Sequence, residues 1–298
     1  MRSSPSMKSV LADLSLVLIA LFWGLSFVAM KDALDSFPTF WLLVLRFSSA
    51  SILMCVIFWR RVISITREDV HAGVVVGFFL FLGYATQTLG LNYTTPGKQA
   101  FLTSTYVVIV PFLSWGFRRI FPGAISFVAS LICLVGMAFL TLQENATIGI
   151  GDTLTFVCAI FFALHIIVIE YYVADRDPLI LTTLQIVMVA LLSLPVALLF
   201  ESWPGFQGGS GLWSIAYTVI LCTVIAFAVQ NTAQKYTPST HAAILLSLES
   251  VFGAFAGIYF MNEVFTPRMV VGCALIFIAV LLTVSGPSLL RMISPKRA

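Results

Sequence analysis

Ten apolar stretches, each close to the ~20 residues that a helix needs to cross a bilayer, follow one another with only short polar breaks between them. They run at 10–30, 38–59, 71–91, 98–117, 121–141, 151–173, 178–200, 212–232, 239–261 and 269–290. The breaks carry charge or turn residues: DALDSFP at 32–38, RRVISITRED at 60–69, QENATIG at 143–149, ADRDP at 174–178 and WPGFQGGSG at 203–211. Inside hydrocarbon every backbone N–H and C=O must be satisfied within its own segment, which leaves helices for runs of this length. The sequence therefore predicts an all-α membrane protein of ten transmembrane helices, with no stretch left over for a soluble domain. The first run is too long for the apolar core of a signal peptide and reads as a retained helix. The 60% apolar and 10% charged composition agrees, far from the roughly 25% charged residues of soluble domains. A net charge of +3 gives no reason to expect a nucleic-acid partner.

Basic residues set the orientation. With a cytoplasmic N-terminus, the inner segments hold twelve (Arg2, Lys8, Arg60, Arg61, Arg67, Arg118, Arg119, Arg176, Lys235, Arg291, Lys296, Arg297) and the outer ones three (Lys31, Lys98, Arg268). The positive-inside rule then places both termini in the cytoplasm. Arg46 belongs to neither set because it lies within a span. All five cysteines fall in apolar runs, where they act as small hydrophobes.

The chain also repeats itself. QTLGLNYTTPGKQA at 87–100 is echoed by QNTAQKYTPSTHAA at 230–243, so that Gln87, Tyr93, Thr94 and Ala100 recur as Gln230, Tyr236, Thr237 and Ala243. The same spacing sets Ala129 on Gly272 and Gly136 on Ala279, while Pro38 falls on Pro178 at a slightly smaller one. Two five-helix units follow, 1–141 and 151–298, joined by 142–150. Five is odd, so the second unit enters the membrane from the other side and the repeats are inverted. Secondary transporters are built in this way, with a site near the midplane between two rocking halves. Pro111 in the fourth helix and Glu249-Ser250 in the ninth lie at different distances from the repeated Tyr93 and Tyr236, so these two helices need not be equivalent turn for turn.

FWGLSF at 22–27, Pro38 followed eight residues later by Arg46-Phe47, and GKQAFLTSTYVVIVPFLS at 97–114, on this ten-span duplicated frame, resemble the drug/metabolite transporter superfamily and its EamA family. The resemblance covers essentially the whole chain and is closest in character to amino-acid exporters of the YddG type. It implies export of small metabolites, amino acids foremost (aromatic or broad range), by alternating access across a bacterial inner membrane. The implied partners are a small-molecule substrate and the lipid bilayer; no cofactor, metal or ATPase subunit is implied, and the chain is expected as a monomer with a dimer as the alternative. A multidrug or other-metabolite carrier of the same fold is the second reading. A membrane-embedded Ser/His hydrolase using His165 is a distant third, with no nucleophile elbow to support it. The sequence departs from the family pattern at Glu249-Ser250, where many members have Glu-Pro, and at Arg118-Arg119, where a Glu is common.

The candidate substrate-binding residues are those whose polarity is out of place in lipid. Arg46 cannot shed its charge, so at mid-helix it needs a partner, water or a substrate anion. By depth it holds a substrate carboxylate, or is structural, paired with Glu249 or bonded to backbone carbonyls; Glu249 is itself a candidate proton site or a buried neutral acid. Tyr84, Gln87 and Thr88 share a face of the third helix, and Gln99, Thr103 and Tyr106 follow i, i+4, i+7 on the fourth. Thr223 and Gln230 are seven apart on the eighth, His165 lies well inside the sixth, and Trp23 adds an aromatic surface. The candidate substrate site is Trp23, Arg46, Tyr84, Gln87, Thr103, Tyr106, His165, Gln230 and Glu249. For each, hydrogen bonding between helices is the structural alternative. Gly73-x3-Gly77 and Gly253-x3-Gly257 read as close packing inside the bundle, and Glu170 as a solvated residue at a helix end.

The orientation can be measured directly. In a background without the five native cysteines, an impermeant thiol reagent outside intact cells should modify Ala146→Cys and spare a cysteine at either terminus. The opposite labelling pattern would reverse the topology.

Overall fold

The computed structural model describes residues 7–119, 121, 123–141, 149–205, 209–261 and 266–293, and among these every regular element is helical. The Asn145–Thr147 segment and most of the 142–150 linker lie outside the described residues, as do 206–208 of the glycine-rich break. Ten helices follow the ten apolar runs: α1 (Met7–Leu34), α2 (Thr39–Ile57), α3 (Arg67–Leu91), α4 in two pieces (Pro96–Ser104 and Tyr106–Arg118), α5 (Ala124–Thr141), α6 (Ile150–Val173), α7 (Pro178–Phe200), α8 (Ser210–Val219 and Ala226–Gln234 around a π-helical turn, Ile220–Ile225), α9 in two pieces (Ser239–Leu246 and Glu249–Met261) and α10 (Pro267–Ile293). Nine of them offer a described stretch long and apolar enough to span a membrane, while the apolar stretch of α5, Ala124–Phe139, is shorter.

Local chemistry starts these helices where the sequence turns polar. Thr66 and Asp69 form a reciprocal capping box at α3. Thr95 caps α4 and Asp177 caps α7, each followed by a proline whose missing N–H is no loss in the first turn. Glu170, expected to be solvated, instead accepts the Ser239 backbone N–H at 2.9 Å and so serves the N-terminus of α9.

The helix pairings come in couples related by exchanging the two halves. α1 packs on α8 and α9, as α6 packs on α3 and α4; α3 packs on α7, as α8 packs on α2; α2 with α7 and α5 with α10 are their own counterparts. This is the pattern of a two-fold axis between the halves, and with five crossings in each half the axis lies in the membrane plane. Both α4 and α9 break at matching places. Thr105 stands between the pieces of α4, and Ser247 and Leu248 between those of α9. The two helices therefore share the place of their break, and differ at Pro111, whose counterpart in α9 is Ala254. Pro111 sits inside the second piece of α4, and the interruption comes six residues earlier, at the counterpart of the α9 break.

Small residues set the closeness of approach. A Cβ on Gly24 would come within 2.6 Å of Phe252 Cβ and 2.7 Å of the Glu249 carbonyl oxygen, so α1 rests directly on the α9 backbone. One on Gly77 would lie 2.5 Å from Met188 Cβ and 2.9 Å from the Gln185 carbonyl, and Gly73 is closed in the same way by Leu184. The GxxxG step of α3 thus faces α7 within the bundle.

Gly24→Ala should accordingly lower thermal stability in detergent by about 1–3 kcal/mol, because the backbone beside it cannot rotate away. Gly97→Ala, with nothing within 4 Å of the new methyl, is the control. Equal unfolding midpoints for the two variants would show that α1 and α9 are not in rigid contact.

Candidate functional site

Between the halves lies a cavity with about 630 Å³ of empty space, its opening included. All nine residues singled out from the sequence line it. On α3, α4, α8 and α9, eight of the wall residues fall into four pairs separated by 143 positions: Tyr84 with Phe227, Gln87 with Gln230, Thr103 with Leu246, and Tyr106 with Glu249. The exchange of halves thus maps much of the cavity onto itself.

Arg46, only 1% exposed, is held by neutral groups. Its Nε–H donates to Thr223 Oγ1 at 2.7 Å and Nη2 to Tyr84 OH at 3.2 Å; Nη1 reaches Met30 Sδ and Nη2 the Cys222 carbonyl, both at the weaker 3.5 Å. The guanidinium carbon also lies 4.6 Å from the centroid of the Tyr84 ring and 5.3 Å from that of Phe47, within cation–π range. Among the described residues no carboxylate forms an ion pair with it. Pairing with Glu249, one of the expected alternatives, does not occur, whereas the expected contact with a backbone carbonyl does, at Cys222. Glu249 Oε1 instead accepts from Ser104 Oγ at 3.0 Å and from Tyr106 OH at 3.1 Å. A fixed cation and a buried acid therefore face one cavity without neutralising each other.

The support for Arg46 comes from the π-helical turn of α8. Thr223 Oγ1 donates to the Thr218 carbonyl five residues back, at 2.8 Å, leaving its lone pairs for Arg46 Nε–H. The neighbouring Cys222 carbonyl takes the Trp23 indole N–H at 2.9 Å as well as the contact from Arg46. Such turns widen the helix by one residue and are common at functional sites. On the far wall Gln99 Nε2 donates to the Gln87 carbonyl at 2.5 Å and Gln87 Nε2 to Thr103 Oγ1 at 3.2 Å. His165 Nε2 meets Gln185 Oε1 at 2.9 Å. Aromatic rings of Trp23, Tyr84, Phe162 and Phe227 pack edge to face or tilted at centroid distances of 5.3–6.1 Å.

Sequence reasoning missed Met30, Phe162, Phe227 and Leu246 in the wall. Phe227 and Leu246 had a usable signal, since they are the repeat counterparts of Tyr84 and Thr103. Met30 and Phe162 had none, being apolar residues in apolar helices.

Each end of the bundle is closed by the same device. At the end away from Arg60 and Arg61, Asp152 at the start of α6 takes Lys98 Nζ at 2.6 Å and Thr94 Oγ1 at 3.1 Å. At the end that carries those arginines, hereafter the basic end, Asp13 near the start of α1 takes Thr237 Oγ1 at 3.0 Å and faces His241 Nε2 at 3.7 Å. Thr94 and Lys98 are the repeat counterparts of Thr237 and His241.

Tyr106→Phe removes one donor from Glu249 and leaves the ring. It should cost about 0.6 kcal/mol of stability, the average for a hydrogen bond between membrane helices. Steric unfolding assays in bicelles, which trap the unfolded state with a bulky tag, would measure this; a loss above about 2 kcal/mol would mean that the phenol supports packing beyond this bond.

The geometry agrees with known proteins. The sequence profile of the EamA-like transporter family matches residues 10–142 and again 149–285, so the two matches start 139 and end 143 positions apart, in step with the internal repeat. A protein of Archaeoglobus fulgidus described as an uncharacterized transporter is 35% identical over 92% of this chain and 86% of its own length. The uncharacterized transporter YoaV of Bacillus subtilis is 22% identical over 88% and 93%. A solved crystal structure superposes with a TM-score of 0.76 over 91% of this chain and 96% of the other, at 16% identity, a likeness of fold. The chain belongs to the EamA-like transporter family and is a multi-pass membrane transporter rather than an enzyme.

Proposed function

We propose that this transporter exports small metabolites, amino acids foremost, by alternating access across the inner (plasma) membrane, with the basic end and both termini in the cytoplasm. The units 1–141 and 151–298, joined by the linker 142–150, rock about the cavity, and the chain works as a monomer. The observation that carries the reading is Arg46: a buried guanidinium in the wall of a cavity, braced by neutral acceptors and without an ion-pair partner among the described residues. A substrate carboxylate supplies the missing anion, and the planar fork of the guanidinium suits two-point binding. Trp23, Tyr84, Gln87, Thr103, Tyr106, His165, Gln230 and Glu249 form the remainder of the substrate site, with Glu249 placed for the ammonium group. The aromatic wall favours, as a second reading, a carrier of other aromatic or amphipathic solutes.

Counterflow of labelled amino acids into proteoliposomes tests this, saturation by one or more of them being the expected result. Arg46→Lys keeps the charge and loses the fork. It should weaken apparent affinity for a transported amino acid about tenfold, or ~1.4 kcal/mol, and that for its amide-capped analogue much less. Equal losses for both solutes would make Arg46 a structural residue and remove the carboxylate from the reading.

A further inference from the structure

The cavity is not centred on the exchange axis. Its wall runs on towards the end of the bundle away from Arg60 and Arg61, through Thr88, Leu91 and Gln99. The repeat counterparts of Thr88 and Leu91, Asn231 and Gln234 on α8, lie outside it; on that side the wall stops at His165, Ile166 and Gln230. One turn beyond Gln230, Gln234 donates Nε2–H to the Ile166 carbonyl at 2.8 Å. Gln234 also lines a second cleft, at the basic end, together with Glu170, Tyr236 and Thr237, with about 470 Å³ of empty space, its opening included. The central cavity and this cleft are thus separated by the contact of Gln234 with Ile166.

Both counterpart residues are buried and hold an amide oxygen that no donor among the described residues reaches: Asn231 Oδ1 and Gln234 Oε1. The orientation of each amide is fixed by its other bond. Gln234 must present its NH₂ to the Ile166 carbonyl, which can only accept. Asn231 Nδ2 donates at 2.9 Å to Thr182 Oγ1, whose own proton goes to the Pro178 carbonyl at 2.7 Å. The free atoms are therefore carbonyl acceptors, and a buried acceptor left unmatched costs roughly 1–3 kcal/mol.

We propose that the basic-end cleft is the second vestibule of the transport route, and that Gln234 and Asn231 are specificity-determining residues on that side, their amide oxygens taking N–H or ammonium donors of the solute as it passes. The proposal rests on the reading that the cavity carries an amine-bearing metabolite. The exchange of halves supplies the geometry: in the alternate state Asn231 and Gln234 occupy the positions relative to the cavity that Thr88 and Leu91 hold here.

Proteoliposomes with wild-type protein, Gln234→Met or Asn231→Leu should be compared for counterflow of a transported amino acid and of its des-amino carboxylate. Each variant should slow amino-acid counterflow at least tenfold, keep its equilibrium affinity within twofold, and lose the preference for the amine-bearing solute. Unchanged counterflow and preference in both variants would overturn the proposal. If a variant fails to fold, Gln234→Cys in a cysteine-free background decides instead. A small thiol reagent applied to the basic side should modify it during turnover and less so with saturating substrate, and an inert thiol refutes the route. A wild-type protein that moves no amino acid refutes the substrate reading alone, because accessibility of Gln234→Cys still reports whether the cleft joins the cavity.

Discussion

A positive charge that cannot be given up is set in the middle of a membrane bundle, and much of the interior is arranged to tolerate it. Arg46 costs at least ~2.5–3.5 kcal/mol at a helix centre if left to lipid. The bundle offsets this with a hydroxyl, a phenol, a backbone carbonyl and two ring faces, drawn from α2, α3 and α8. These neutral groups stabilise the ion without cancelling its charge. An ion pair with Glu249 would have stabilised it too, but would have removed the field from the cavity; the acid is held apart by Ser104 and Tyr106.

Duplication accounts for most of what surrounds this charge, and asymmetry for what is chemically distinctive. Four pairs of wall residues and both end closures obey the exchange of halves. Arg46 does not, because the matching stretch of α7 is apolar at Ile186. Nor do the closures match in chemistry: at one end Lys98 bonds Asp152, while at the other His241 only faces Asp13 across 3.7 Å and Thr237 makes the bond. The repeated frame makes two similar openings possible, and the unrepeated residues make them different.

Much of this was legible in the sequence. Ten helices followed from run length, and the duplication from Gln87, Tyr93 and Thr94 recurring at one spacing. The nine residues converge on one cavity, the polar ones because lipid disfavours unsatisfied polar groups on the outer surface of a bundle. What stayed hidden depended on backbone geometry. Pro111 drew attention as the irregularity in α4, yet the chain breaks at Thr105, where the interruption matches that of α9. The end closures were invisible because Lys98 and His241 do not look alike, and because Asp13 and Asp152 read as ordinary charges near helix starts. The pairing of Arg46 with Glu249 suggested itself from depth along the helix, which says nothing about the direction a side chain takes.

The π-helical turn at Ile220–Ile225 contains neither glycine nor proline, so nothing in its composition announces it. It takes one residue more than an α-helical turn, and each α-helical residue turns the chain by about 100°. Shortening α8 by one residue there would relax the backbone into a regular helix and leave Gln230, Asn231 and Gln234 in phase with Ser210–Val219, but it would remove the widened turn that aims Thr223 and the Cys222 carbonyl at Arg46. What this stretch must preserve is its length as much as its side chains: a deletion would unseat the acceptors of Arg46 without changing any of them.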